Sequence, residues 1–373
     1  MSTSPFMTPS HRRRRRELAS RRRRRRRGLF AAAIALVLGA VVVVMAFAGP
    51  GTAHESTAAA HHRPAGQVAE APASATTPAT MLTTARSPIG LPLGKPSLAL
   101  TGISDPSKDP VHPPFPEPPH AGLLFNLDTG QVLWQHNAYT RLRIASLTKM
   151  MTALLTVTSA PPDASVPITK EAVDMPGSKV GVLPLGKHVK LETLLYGLLL
   201  PSGNDAAVAL AQHVAGSVNR FVTRMNDEAA RLGMGCTHYT SPSGYYNQYN
   251  FSCAADLALL AHVDLEQPRI ASVVRTYSAV LPFPIKGGKL YLYNNNPLLI
   301  YKYPGVTGMK TGETVSAGRC LVATAERHGV RLGVVLLHSP DPGTQAAYLL
   351  NRGFEGVYHQ APVAQAPPIP PGA

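Results

Sequence analysis

Cysteine is scarce in this 373-residue chain, which holds only three. That excludes a disulfide-dense scaffold held by cross-links instead of a core. No H-E-x-x-H stretch and no H-x-H pair occurs, which argues against a zinc peptidase. Positive charge is also thin once the N-terminus is set aside. The formal charge is +15, but twelve arginines lie before residue 28, at Arg12–Arg16 and Arg21–Arg27, opposed only by Glu17. The rest of the chain is mildly basic, so the pI reports a tail and excludes reading the whole protein as a nucleic-acid binder.

The arginines stand directly before Leu29–Ala48, a run without a charged residue. About twenty apolar residues are enough to cross a bilayer core. The positive-inside rule then keeps residues 1–28 in the cytoplasm as an Arg-rich tail and everything after Pro50 outside. A cleavable signal peptide is the rival reading, with Gly51-Thr52-Ala53 as a small-residue cleavage site. Its apolar region is usually shorter, about 7–15 residues, which favours an uncleaved single-pass anchor in the cell membrane. A nuclear-import or DNA-binding tail would carry the same arginines; beside a membrane span they orient the protein.

Residues 49–117 are rich in Pro, Ala and Thr without sustained periodicity. Such a stretch buries too little apolar surface to offset its ordering entropy and is expected to be a disordered, extended linker. The Pro-rich tail at 359–373 is expected to be unstructured as well. This leaves 118–358 as one domain with ample length for a core.

Within it, Leu123–Leu127 and Gln131–Gln135 flank Asp128-Thr129-Gly130, a hairpin signal. Helices are expected from Ser146 to about Thr158, over Leu191–Leu200, Asn204–Ala215, 217–232 and Asp256–His262. The 217–232 helix carries apolar residues at spacings of three and four and stops at Gly233. Strands follow at Ser278–Leu281, Lys289–Tyr293, Gly318–Ala325 and Arg331–Leu337, then a helix over Gln345–Gly353. The order predicts an α+β domain. Its antiparallel sheet joins the first strands to the last, is flanked by helices, and has a helical region inserted between.

Three short motifs carry chemistry. Ser146-Leu147-Thr148-Lys149 opens a helix, and residues three apart share a helix face. A lysine amine there can reach a serine hydroxyl and activate it if burial or nearby positive charge lowers its pKa. The same four residues also suit a capped helix with an exposed lysine. Ser202-Gly203-Asn204 lies in a turn forced by Pro201 and Gly203; it places polar groups in a cleft or is a plain N-cap. Lys310-Thr311-Gly312 offers a cation and a hydroxyl suited to a carboxylate, or is an ordinary strand edge.

Taken in this order outside the membrane, the motifs resemble those of the penicillin-binding proteins and serine β-lactamases. They are most similar to the serine-type D-alanyl-D-alanine carboxypeptidases, the low-molecular-mass penicillin-binding proteins. Ile144–Leu155, Pro201–Ala207 and Gly308–Gly312 match the family's three blocks, and the resemblance covers nearly all of 118–358. It implies that Ser146 is the nucleophile and Lys149 its base, with Ser202 and Asn204 relaying protons and holding Lys149. It implies that Lys310, Thr311 and Gly312 bind the substrate's terminal carboxylate. The backbone N–H groups of Ser146 and Glu313 would form the oxyanion hole. The implied substrates are peptidoglycan stem peptides, with β-lactams as covalent inhibitors and no metal or organic cofactor.

Three positions depart from the family pattern. Glu313 replaces an apolar, aromatic or His residue, and its carboxylate is expected to repel an anionic substrate end or to pair with Lys310. Thr307 replaces a frequent Asp. Ser241-Pro242-Ser243-Gly244 replaces an N-P-H-G turn. No E-x-x-x-N stretch lies between Asn204 and Lys310, so the glutamate-activated water of a class A β-lactamase is not expected. A DD-endopeptidase with the same motifs and a non-enzymatic wall-binding protein are the remaining alternatives. Cys236 and Cys253 flank a Tyr/Asn-rich loop and are expected to pair outside the membrane. Cys320, in an apolar strand, is expected to be a buried free thiol.

Overall fold

The first hairpin forms where its turn residues place it. In the computed structural model, which describes residues 98–103, 105–245 and 249–362, β1 (Ala121–Asn126) pairs antiparallel with β2 (Val132–His136). Asn126 Oδ1 accepts from the N–H groups of Asp128 and Thr129 at 2.8 and 3.0 Å. This is the turn that a short carbonyl side chain stabilises. Gly130 adopts a φ of 72°, and a Cβ there would run into the carbonyl of Ala99.

The sheet brings the two ends of the domain together. β1 pairs with β5 (Val330–Ser339), β5 with β4 (Gly318–Arg327), and β4 with β3 (Val306–Thr314), all antiparallel. The order is β2-β1-β5-β4-β3. Every residue of β1 is buried, because helices cover both faces. Leu123 and Phe125 join the core shared with α1 (Lys149–Ser159) and α5 (Ala254–Glu266). Leu124 faces the core under α7 (Pro342–Asn351). A strand covered on both sides reads as a continuous apolar run, as this one does.

The inserted helical region lies between β2 and β3. It includes α2 (Leu191–Leu199), α3 (Asn204–Ala215), α4 (Val218–Arg231) and α6 (Pro268–Val274). α4 has the expected amphipathic face, burying Phe221, Met225 and Ala229. Ser217 caps it by accepting from Arg220 N–H at 3.3 Å, and Gly233 follows with a φ of 78°. α1 is buried along nearly its whole length, Lys149 included.

The linker expectation fails at its C-terminal end. Residues 98–103 and 105–111 lie along the outer edge of β2. Thr101 bridges to Gln131, Val111 N–H donates to the Leu133 carbonyl at 3.0 Å, and Asp109 Oδ2 accepts from Gln135 N–H at 2.8 Å. Leu98 and Val111 are buried. Composition misses this because the segment has little apolar content of its own and is held by an open strand edge that needs partners. At the other end, Gln360 Nε2 donates to the Arg327 carbonyl at 2.9 Å, so the ordered chain runs slightly past 358. The tail at 1–28, the span at 29–48, the remainder of the linker and residues 363–373 lie outside the described residues. Among the described residues no helix is long and apolar enough to cross a membrane.

Cys236 and Cys253 form the expected disulfide, and Cys320 is free and buried.

Candidate active site

The Ser146 motif does not open as a plain α-helix. Ala145 takes a left-handed φ of 47°, a 3-10 turn covers Ala145–Thr148, and α1 begins at Lys149. This sharp entry points the serine outward while the lysine turns into the core. Lys149 is fully buried. Its Nζ donates to Ser146 Oγ at 2.8 Å, to Asn204 Oδ1 at 2.8 Å and to the Ser243 carbonyl at 2.9 Å. Burial, then the positive charge of Lys310, hold the Lys149 amine well below the ordinary lysine range, against an opposing pull from Asp205. The shift favours the neutral amine, the form that can accept the serine proton.

The second motif supplies more than a cap. Asn204 begins α3, and its Nδ2 donates to the Pro176 carbonyl at 2.8 Å, which leaves Oδ1 aimed at Lys149. Ser202 adopts a φ of 66°, a conformation costly for a residue with a side chain and concentrated at functional sites. Its Oγ is buried and makes no hydrogen bond. The expected contact between Ser202 and Lys149 is therefore not made; the hydroxyl lines the cleft instead.

The third motif lies on β3, an edge strand of the sheet. Lys310 is 1% exposed, and its Nζ donates to the Thr311 carbonyl at 2.8 Å. Burial lowers its pKa to about 7. A Cβ on Gly312 would lie 2.8 Å from the Ile144 carbonyl oxygen and 3.1 Å from Ser146 N. Glycine thus lets the nucleophile turn pack against the strand. Ser146, Ser202, Thr311, Gly312 and Glu313 line one cavity of about 260 Å³. Lys310 stands behind its wall. Glu313 is exposed and forms no ion pair with Lys310, so that expectation is not met. Thr307 bonds instead to Thr324 across the sheet, Oγ1 to Oγ1 at 2.8 Å.

Sequence reasoning missed several contributors. The Ser243 carbonyl is one of the three acceptors of Lys149, and backbone atoms leave no side-chain signature. Asp205, nearly fully buried, accepts from Val180, Gly181 and Ala206 N–H at 2.9, 3.0 and 2.8 Å. It thereby ties the loop carrying Ser178 to the start of α3; its place next to Asn204 was the available signal. Ser178, Asn295 and Arg319 also line the cavity.

Such a site can transfer an acyl group through a serine. The family model described as D-alanyl-D-alanine carboxypeptidase (peptidase S11) matches residues 118–341. The chain belongs to this family. Among D-alanyl-D-alanine carboxypeptidases, DacF of Bacillus subtilis is 34% identical over 242 residues, 63% of this chain and 61% of that relative. DacB2 of Mycobacterium tuberculosis is 34% identical over 250 residues, 65% of this chain and 84% of the relative. The D-alanyl-D-alanine endopeptidase of Pseudomonas aeruginosa is 35% identical over 221 residues, 58% of this chain and 70% of its own length. The solved DD-transpeptidase of Streptomyces K15 superposes with a TM-score of 0.61 at 33% identity, over 65% of this chain and 99% of that one. The chain thus spans about three-fifths of DacF and nearly the whole of the K15 fold, which has the α+β architecture seen here.

Proposed function

We propose that this chain is a serine DD-peptidase that removes the terminal D-Ala from peptidoglycan stem pentapeptides in cell-wall remodelling. The observation that carries this reading is the buried Lys149 amine, 2.8 Å from Ser146 Oγ.

Lys149 takes the Ser146 proton as Oγ attacks the carbonyl of the D-Ala-D-Ala bond. The tetrahedral oxyanion rests between the backbone N–H groups of Ser146 and Glu313. Lys149 returns the proton to the departing D-Ala nitrogen as the C–N bond breaks; the Ser202 hydroxyl, unbonded on the cleft wall, serves as relay once bound substrate bridges it to the amine. Lys310 and Thr311 hold the terminal carboxylate, and Gly312 admits the peptide close to the strand. Water then attacks the acyl-enzyme ester, losing a proton to Lys149, which passes it to Ser146 Oγ as the ester C–O bond breaks and the shortened peptide leaves. Asn204 keeps Lys149 aimed throughout. β-Lactams acylate the same oxygen and inhibit. The Arg-rich tail and the apolar run after it support a single-pass anchor with this domain outside the cell membrane.

A second reading, cleavage of cross-links as a DD-endopeptidase, is favoured by the Pseudomonas relative. A fluorescent penicillin gel with Ser146→Ala as control tests the acyl-enzyme. D-Ala release from a pentapeptide against cleavage of a cross-linked dimer separates the two substrates. Absence of a Ser146-dependent adduct would sink both and leave the wall-binding alternative. Rapid turnover of a chromogenic cephalosporin would point to a β-lactamase.

A further inference from the structure

The proposed reaction fixes the direction of the substrate. Its carboxylate end sits by Lys310 and Thr311, and its scissile carbonyl lies between Ser146 and Glu313. Moving from one to the other follows β3 toward its C-terminal end. The residues before the scissile bond therefore continue past Glu313 toward Thr314 and Val315.

A second cavity, of about 590 Å³, lies there. It shares Glu313 and Arg319 with the first and adds Glu117, His120 and His338. Glu313 and Arg319 are direct cross-strand partners in the β3–β4 register. Antiparallel partners project to the same face of a sheet, so a carboxylate and a guanidinium stand side by side on the wall where the two cavities meet. Arg319 Nη2 donates to the Pro340 carbonyl, which fixes its charge on that wall. His120 and His338 stack with ring centroids 3.9 Å apart in the lining of the same cavity. Burial and the neighbouring His120 hold His338 below the ordinary histidine range, which disfavours its charged form; the carboxylates of Glu117 and Glu313 and the guanidinium of Arg319 then set the local pattern, and of these only Glu313 and Arg319 also border the first cavity.

We infer that this second cavity is a bipolar subsite for the side chain of the residue preceding the D-Ala-D-Ala end, taking a side chain that ends in both an amine and a carboxylate. The amine meets Glu313 and the carboxylate meets Arg319. An amine-only side chain satisfies half of the site, and an amidated end loses the contact with Arg319. The departure at Glu313 is then a selectivity device for the upstream residue and need not touch the terminal carboxylate. This inference rests on the proposed peptidase reading.

The test uses the full chain and synthetic peptides ending in D-Ala-D-Ala. Their preceding residue carries an amino-carboxylate end, an amine alone, an acetylated amine or an amidated carboxylate, and D-Ala release is measured. The amino-carboxylate peptide is expected to exceed the amine-only and amidated ones by about tenfold in kcat/KM, the loss that follows removal of one charged hydrogen bond. Glu313→Gln should erase discrimination between free and acetylated amine while keeping that between carboxylate and amide. Arg319→Gln should do the reverse, and Arg319→Lys should retain the preference. Thermal melts identify any variant that fails to fold. Equal kcat/KM for all four peptides with the unaltered chain, or variants that lower every peptide alike, would overturn the subsite while leaving the peptidase reading intact. No D-Ala release from any peptide would remove that reading, and the subsite with it.

Discussion

Gly244 and Thr148 are packed so closely that a Cβ on the glycine would lie 2.5 Å from the threonine hydroxyl oxygen. Gly244 also has a φ of 75°. The neighbouring Thr152 hydroxyl donates to the Pro242 carbonyl at 2.7 Å, so the 241–244 turn is fastened to the helix of the nucleophile. That fastening delivers the Ser243 carbonyl to Lys149. Gly244→Ala should therefore lower stability by about 2 kcal/mol or more. It should also slow acylation of Ser146 by penicillin at least about tenfold, since positioning errors of this kind cost catalysis steeply. A thermal melt and a stopped-flow acylation assay check the two effects.

Lys149 acts as a base only if it can become neutral. Lys149→Ala is expected to cut the acylation rate by about 10²–10⁴, the range that a positioned general base contributes. Lys149→Arg should lose as much despite its similar length, because a guanidinium stays protonated. Penicillin labelling by Lys149→Arg at the unaltered rate would count against the assignment.

The pH profile should be bell-shaped, with opposite signs for the two lysines. Lys149 works deprotonated, so kcat/KM rises with pH through its lowered pKa, on the acid side of an ordinary lysine. Lys310 works protonated, so kcat/KM falls as pH passes about 7 in the free enzyme. Bound carboxylate favours the charged amine, so the fall in kcat should lie at higher pH than the fall in kcat/KM. Lys310→Met should remove the descending limb. It should also move the ascending limb upward, because the charge that helps depress Lys149 is gone. An unchanged profile in that variant would refute the coupling.

Reduction of the Cys236–Cys253 bond should lower stability by about 3 kcal/mol through loss of its loop constraint. The matching fall in Tm is roughly 6–12 °C for a domain of this size. Melts of the unaltered chain and of a Cys236→Ser, Cys253→Ser double variant, each with and without reductant, measure it. Only the unaltered chain should respond.

The parts of the fold legible in the sequence were those with a local cause. Asn204–Ala215 falls where expected, because Pro201 and Gly203 punctuate its start and Gly216 its end. The amphipathic 218–231 helix is similar, since its apolar spacing is intrinsic. β3 was legible only as the strand edge offered as one alternative for Lys310-Thr311-Gly312, not over its full length. Val306–Thr314 has two glycines and mixed polarity, and only its ladder to β4 makes it extended. The strap at 98–103 and 105–111 failed for the same reason: its place comes from the edge it covers. In the site, the spacing of Ser146 and Lys149 gave their contact, and Asn204 followed from the second motif. The left-handed backbone of Ala145 and Ser202 carries no residue-type signal, because neither is glycine or asparagine.

The strap and the cleft occupy opposite margins of the sheet. The strap is bound to β2 and the substrate groove to β3, four inter-strand steps or roughly 19 Å away. A pull arriving through residue 98 would peel hydrogen bonds from the β2 margin first. The chain beyond the strap, however, runs through Glu117 and His120, which line the second cavity, so a load that freed the strap would next reach the upstream end of the groove and not the catalytic serine.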